Sequence, residues 1–256
     1  MRTPSTPHFL NYYSAVGIDH FFFAVDEAIA SSVESVTRHW PCTAWRTADA
    51  AESLYGVKAV SDMRRRHCEP DEWVVIADLD EFHLYPAPLP TLISSAETEG
   101  SNNIHGTMVD MLAEDGGLPP LPPPDGDLWA LFPRRCALTR RLRGGADTKC
   151  DVVRETTPSH HCLIGEKPRD SSTSYEIAHF KWHEGAIERM EHALAVTRDV
   201  GEHWWVEYER VLEHWRLHGR FRWEDFPVDK RFALTAGQRE GMSLAWIQEN
   251  LLLRRS

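Results

Sequence analysis

The chain has 256 residues, of which 42% are hydrophobic and 26% charged, and its formal net charge is -11. Such a chain is long enough to bury a substantial core, either as one large domain or as one domain with a helical extension. Because an acidic surface repels nucleic-acid backbones, the charge argues against general DNA or RNA binding, whereas a phosphate-bearing small molecule can still bind through a cation.

The cysteines and the apolar runs indicate where the protein resides. The five cysteines are irregularly spaced and odd in number, which is typical of reduced thiols rather than of a disulfide framework. No apolar run approaches the roughly 20 residues that cross a bilayer, and the polar and aromatic start of the chain does not have the pattern of a signal peptide. We therefore expect a cytoplasmic protein without a transmembrane segment.

The first 80 residues alternate between helical and strand patterns. Aromatic and apolar residues recur at helical spacing over residues 8–16, and Gly17 can end that helix. The aromatic run 18–25 predicts a buried strand. Residues 48–68 predict a helix with cations at its C-terminal end, and residues 73–80, WVVIADLD, predict a second buried strand. This alternation is typical of an α/β fold with a mostly parallel sheet and crossover helices.

The rest of the chain combines further strands with helices at its end. We expect a short helix from Thr91 and a strand over residues 102–112, followed by a proline-rich surface loop over residues 116–126. The segments DVVRE and SYEIAHFKW are also strand-like.

Long helical periodicity then covers residues 185–218, and a last helix is predicted over residues 236–253. The pattern predicts a catalytic domain over residues 1–184 and a helical extension over residues 185–256 that packs on it. The apolar face of the last helix can pack on the domain or on a second copy, in which case the protein forms a homodimer. Aromatic residues between 204 and 215 fall at helical spacing, which favours a core face over a sugar-stacking platform.

The predicted strand 73–80 ends on two aspartates, Asp78 and Asp80. Residues two apart in a strand project to the same side, and ligands of open α/β sheets bind at the carboxyl ends of the strands. Two close carboxylates repel each other, and Mg²⁺ or Mn²⁺ removes that repulsion while it holds a diphosphate and stabilises it as a leaving group. The alternative is that these aspartates only cap a turn or the next helix.

The residues around this pair resemble a known family. WVVIADLDEF resembles the D-x-D-E-F block of glycosyltransferases of the GT-A fold, in the family-2-like group that includes the family 92 enzymes. Other segments are similar to blocks of that group in the same order, over roughly residues 8–220. They read NYYSAVGIDHFFFAVDEA, IHGTMVDMLAEDGGLPPL, and the pair KCDVVRETTPSHH and IAHFKWHEGAIERM.

The resemblance implies a nucleoside-diphosphate sugar as donor, a divalent metal, Mn²⁺ or Mg²⁺, and transfer of the sugar to an acceptor nucleophile. It also implies a Rossmann-like sheet flanked by helices. By this resemblance Asp78 and Asp80 would hold the metal and the donor diphosphate, and Glu81 would brace their loop or contact the donor. Asp26 would lie beside the nucleotide, and Asp110 would contact the donor sugar or the acceptor.

Two features depart from the family pattern. The family begins with a strand that ends in an Asn-Glu-like step, whereas MRTPSTPHFL has no strand pattern. We therefore expect either that the start is truncated or that the sheet lacks that first strand. After Asp26 the family has small polar residues, whereas this chain reads EAIASS. These departures keep open a second hypothesis, a non-catalytic binding or scaffold protein on a degenerate GT-A sheet.

The late histidines and Lys149 complete the predicted site. The family often adds a late histidine as a metal ligand, and His179, before Phe180, matches that step best. Imidazole suits Mn²⁺ better than Mg²⁺, and the alternative is a packing histidine. Lys149 follows a Gly-Gly loop and can reach a phosphate as a point charge, or it is a solvated lysine.

Two further hypotheses concern the base and an alternative metal. An inverting transfer needs a base for the acceptor's proton, and the candidates are Asp110, Asp115 and His161. A zinc site at Cys150, His160, His161 and Cys162 is disfavoured because the spacing contains no C-x-x-C pair. A metal-dependent phosphohydrolase also uses paired aspartates, but the D-x-D-E-F block and the late His-Phe step favour the glycosyltransferase.

Overall fold

The computed structural model describes residues 5–47, 57–143, 148–154, 157–159, 162–164, 169–199 and 205–228. The α-helices are α1 Thr6–Ala15, α2 Ala30–Thr37, α3 Val57–His67, α4 Leu89–Thr98, α5 Leu128–Leu131, α6 Ala186–Asp199 and α7 Trp205–His218. The strands are β1 Phe21–Asp26, β2 Cys42–Thr47, β3 Val74–Val75, β4 Glu81–Leu84, β5 Asn103–Leu112, β6 Arg134–Cys136, β7 Thr148–Val153, β8 Thr157–Ser159, β9 Cys162–Ile164 and β10 Tyr175–His179. A π-helix covers Thr139–Arg143.

The chain divides into two compact units. Apart from single residues at the chain end, unit 1 comprises residues 1–107 and 148–175, and unit 2 comprises residues 108–147 and 176–254. Strand β5 begins in unit 1 and continues in unit 2. Helices α6 and α7, predicted as an extension, belong to unit 2 together with residues 108–147.

The α/β class predicted from the sequence is confirmed, but the sheet is mixed rather than plainly parallel. Strands β1 and β2 pair in parallel. Strands β3, β7 and β5 are neighbours in that order and pair antiparallel, β6 pairs β5 antiparallel, and β4 and β10 belong to the same six-stranded sheet. Strand β2 was not predicted, because its sequence CTAWRT gave no clear strand pattern.

The prediction that residues 73–80 form one strand is wrong. The strand β3 contains only Val74 and Val75. The Ile76 amide still donates to the Asp151 carbonyl at 2.7 Å, and the chain then turns, with the Glu81 amide donating to the Asp78 carbonyl at 3.0 Å. Aspartates favour turns because their side chains bond nearby backbone groups. The turn therefore removes the premise that Asp78 and Asp80 share one face of a strand.

Helix α1 holds the site-bearing strand β4 in unit 1. Phe9, Leu10, Tyr12 and Tyr13 form its buried face, and Gly17, with φ of 99°, lies just beyond its end. The Tyr12 hydroxyl donates to the His83 carbonyl at 2.6 Å, and the Tyr13 hydroxyl donates to the Glu81 carbonyl at 3.1 Å. These bonds fix the backbone of β4 at the residues that carry the acidic cluster described below.

The helical predictions for the later part of the chain hold in part. The periodicity predicted over residues 185–218 corresponds to α6 and α7, and the helix predicted over residues 236–253 lies outside the described residues. Within unit 2, Trp182 and Phe221 are fully buried with ring centroids 4.8 Å apart. Across the described ranges, we find no helix that is both long and apolar enough to cross a membrane.

Candidate functional site

The turn Asp78–Glu81 carries the predicted aspartates. The side chain of Asp78 is 38% exposed, and Asp80 is half-buried. The amide of Asp78 donates to Oε2 of Glu81 at 3.3 Å, so the buried glutamate side chain stabilises the turn by a hydrogen bond to its backbone. The two aspartates are thus presented by a braced turn between β3 and β4, where solvent and ligands can reach them.

A buried ion pair lies behind this turn. The ammonium of Lys149 donates to Oε1 of Glu81, and each residue is 1% exposed. Its Nζ also lies 3.7 Å from Oδ2 of Asp78. Burial lowers the pKa of Lys149, but the nearby carboxylates, first Glu81 and then Asp78 and Asp151, outweigh burial and raise that pKa above its ordinary value. The lysine predicted to contact a phosphate therefore neutralises protein carboxylates in this structure.

His83 and Asp151 extend the buried cluster of unit 1. Nε2 of His83 lies 3.7 Å from Oδ2 of Asp151, and their side chains are 0% and 3% exposed. Nδ1 of His83 lies 3.2 Å from the hydroxyl of Tyr85. Burial and then the charge of Lys149 lower the pKa of His83 to about 3, so its imidazole is neutral at neutral pH. These two residues complete a cluster of carboxylates around one ammonium and one neutral imidazole.

The sequence analysis missed His83 and Asp151. Glu81 and His83 are two residues apart in β4, so their side chains share one face of that strand. That signal was available in the sequence EFHL, whereas the approach of Asp151 depends on the pairing of β7 with β3. Ligand atoms of Glu81, His83 and Asp151 all lie within 4.8 Å of one another, a spacing that fits a metal ion.

A second buried cluster in unit 2 is centred on Asp110, which is 1% exposed. Its Oδ1 accepts from Nδ1 of His179 at 2.9 Å, Nε1 of Trp182 at 2.8 Å and the Thr139 hydroxyl at 2.6 Å. Its Oδ2 accepts from the Thr139 amide at 2.7 Å. Burial alone raises the pKa of Asp110, but the hydrogen bonds from His179 and Thr139 lower it below its ordinary value. The side chain is therefore a carboxylate that holds its neighbours in place.

The contact between Asp110 and His179 fixes the orientation of the imidazole ring. An ionised carboxylate only accepts hydrogen bonds, so Nδ1 of His179 carries a proton in this contact. The carboxylate of Asp110 accepts four hydrogen bonds and so holds His179, Trp182 and Thr139 in place.

Asp115 lies on an exposed turn of unit 2. Its Oδ1 accepts from the amide of Gly117 at 2.8 Å. The intervening Gly116 has φ of 74°, and a Cβ there would lie 1.9 Å from the carbonyl oxygen of Phe221. The carbonyl of Gly116 also accepts from the amide of Phe221 at 2.8 Å, so this glycine anchors the turn that presents Asp115.

For the remaining predicted residues, the structure gives only a strand position or no description. Asp26 is the last residue of β1, opposite Thr47 of β2. His161, predicted as a base, lies outside the described residues, and so does His160 of the disfavoured zinc site. The structure thus groups Asp78, Glu81 and Lys149 in unit 1, and it groups Asp110 with His179 in unit 2.

No protein-family model and no curated protein matches the sequence.

Proposed function

We propose that the protein is a metal-dependent glycosyltransferase that moves a sugar from a nucleoside-diphosphate sugar to an acceptor hydroxyl or other nucleophile. The observation that carries this proposal is the turn Asp78–Glu81, which presents two accessible aspartates in front of a buried Glu81–Lys149 pair. A catalytic site needs side chains that a braced backbone holds in place, and this turn is held by the Glu81 carboxylate. A cytoplasmic location and a homodimer remain predictions.

In the proposed reaction, Asp78 and Asp80 would hold Mn²⁺ or Mg²⁺, which neutralises the departing diphosphate. Glu81 and Lys149 keep the turn in shape, because their charges satisfy each other inside the protein. That His179, oriented by Asp110, is a further metal ligand stays a prediction of the family resemblance. Asp115, whose carboxylate is exposed and whose Oδ1 accepts from the Gly117 amide, stays a predicted base for the acceptor's proton.

One observation favours a second candidate function, a non-catalytic binding protein. The ammonium of Lys149 already lies 3.7 Å from Oδ2 of Asp78 and bonds Glu81. It therefore supplies at this turn part of the positive charge that a metal would otherwise provide.

A thermal-shift panel distinguishes these functions. The panel contains uridine and guanosine diphosphates and their sugar conjugates, each with and without Mn²⁺. The glycosyltransferase requires stabilisation by a diphosphate that depends on Mn²⁺, that persists in the exposed control Asp71→Ala and that is lost in Asp80→Ala. A response to none of the nucleotides supports the binding protein, and turnover of simple phosphate esters supports the phosphohydrolase.

A further inference from the structure

We propose that Glu81, His83 and Asp151 form a buried binding site for a divalent transition-metal ion, with Zn²⁺ as its best fit. This site is distinct from Asp78 and Asp80, and the inference does not depend on the proposed glycosyltransferase activity. It rests on the ligand geometry, on a buried imidazole nitrogen and on the balance of charge in unit 1.

The three side chains supply one nitrogen and two oxygen donors within a small space. Their ligand atoms lie within 4.8 Å of one another, so small side-chain movements would bring each atom to about 2.0–2.2 Å from a central ion. Glu81 and His83 are adjacent on one face of β4, whereas Asp151 comes from β7. All three residues are buried, at 1%, 0% and 2% exposure in that order. Two strands of one sheet therefore bring the three donors close together without an ion.

The imidazole of His83 has a buried nitrogen that could bind a metal ion as a ligand. Its Nε2 is buried and has no hydrogen-bond partner among the residues that the structure describes. The 3.7 Å between that nitrogen and Oδ2 of Asp151 is too long for a hydrogen bond. A buried polar atom without a partner costs about 1–3 kcal/mol. Coordination of an ion between Nε2 and the carboxylate removes that cost.

The other ring nitrogen of His83 has the partner that a ligating histidine needs. Nδ1 lies 3.2 Å from the hydroxyl of Tyr85, whose oxygen can accept a hydrogen bond from the Nδ1–H group. A proton on Nδ1 puts the ring lone pair on Nε2, and metal-ligating histidines usually donate their second ring N–H in this way. Tyr85 is therefore positioned to select the ligating tautomer of His83.

The carboxyl groups of the cluster outnumber its one ammonium, and a divalent ion would balance the difference. Three carboxyl groups, those of Asp78, Glu81 and Asp151, lie around the single ammonium of Lys149. A 2+ ion would add positive charge that one ammonium does not supply. Lys149 does not prevent binding, since each carboxylate oxygen has two lone pairs and Glu81 can bond the ammonium and an ion together. The imidazole donor favours Zn²⁺ over Mg²⁺ and Ca²⁺, which take oxygen ligands.

Metal binding to the purified full chain tests this site. The protein is stripped with a chelator, dialysed against Zn²⁺, Co²⁺ or Mg²⁺, and assayed for bound metal per chain, and the visible absorption of the Co²⁺ form is recorded. We expect one Zn²⁺ or Co²⁺ per chain and no competition from Mg²⁺. The variants His83→Gln and Asp151→Asn should bind Zn²⁺ more than about tenfold more weakly.

The matched control is His214→Gln, because Nε2 of His214 also has no partner among the described residues but belongs to unit 2. This variant should retain full Zn²⁺ binding. Circular dichroism establishes that each variant is folded, and the wild-type Co²⁺ spectrum provides a readout that needs no variant. Zn²⁺ binding that is absent from the wild type, or unchanged in His83→Gln, overturns the proposal. Asp80→Ala should keep the Zn²⁺, so this site and the proposed function can fail separately.

Discussion

Oδ1 of Asp110 accepts a hydrogen bond from Nδ1 of His179 at 2.9 Å, and both side chains are buried in unit 2. The carboxylate also binds Trp182 and both donors of Thr139, so it organises the end of β10 together with the start of the π-helix. These hydrogen bonds explain why a carboxylate can lie buried at this position.

Replacement of Asp110 by asparagine should destabilise the fold. The amide nitrogen of asparagine cannot accept hydrogen bonds, so at least one buried donor loses its partner, and the remaining bonds lose their charge. We expect a decrease of about 3 kcal/mol in the free energy of unfolding, measured by urea denaturation. The control is Asp127→Asn, an exposed helix cap that accepts from two amides, which should cost about 1 kcal/mol or less. Equal costs in the two variants would contradict a buried role for Asp110.

The contribution of Asp110 should depend on pH. Because its pKa is lower in the folded protein than in the unfolded chain, its stabilisation is present above the ordinary aspartate pKa, near 3.9, and is lost as the pH falls through the folded value. The difference in unfolding free energy between wild type and Asp110→Asn should therefore be constant near neutral pH and shrink in acid below about pH 4. A difference that grows as the pH falls would reverse the sign of this effect.

Removal of the Lys149 charge should be far more costly than removal of a surface charge. Lys149→Met leaves Glu81 as a buried carboxylate without its ammonium, which typically costs about 3–5 kcal/mol. The matched control is Arg46→Met, since Arg46 pairs with Glu27 and Glu34 but its side chain is 46% exposed, and such pairs contribute about 1 kcal/mol or less. The double variant Glu81→Gln with Lys149→Met should recover part of the loss. If Lys149→Met, Arg46→Met and the double variant all unfold at the same urea concentration, the Glu81–Lys149 pair is not buried as described.

Alanine at Gly116 should disrupt the turn that carries Asp115. The residue has a positive φ and its Cβ would meet the Phe221 carbonyl oxygen, so we expect a loss above about 3 kcal/mol in the free energy of unfolding. Gly219 also has a positive φ, of 64°, but nothing lies within 4 Å of the position that a Cβ would take there, so Gly219→Ala should cost only about 1–2 kcal/mol. Thermal unfolding of the two variants in parallel provides the measurement, and a larger loss for Gly219→Ala would contradict the packing at Gly116.

Local patterns predicted the helices and strands better than they predicted the pairing. Helix α1, strand β5 and the proline-rich loop follow from periodicity and from proline chemistry, which act over a few residues. The direction of β7 against β3 and β5 depends on contacts between distant segments, for which the sequence holds no local signal. The extent of β3 was overestimated because apolar residues continue to Ala77, although its ladder is only two residues long.

The candidate site divides in the same way. Asp78, Asp80 and Glu81 stood out because they interrupt an apolar run. The partnership of Asp110 with His179 was not predicted, although both residues were, because their pairing joins positions 69 residues apart. Lys149 was predicted for a ligand, but its charge is directed at Glu81, a contact that forms only when the distant segments β4 and β7 fold together.

The two tyrosine hydroxyls of α1 have a consequence for shortened forms of the protein. They donate to the carbonyls of Glu81 and His83, so an N-terminal deletion that removes Tyr12 and Tyr13 leaves β4 without these donors. Such a deletion would make the backbone that carries Glu81 and His83 less ordered. The hydrogen-bonded residues, Tyr13 with Glu81 and Tyr12 with His83, are 68 and 71 positions apart in the chain. A trimmed protein that fails to bind metal would then report the loss of this brace, even with every candidate ligand intact.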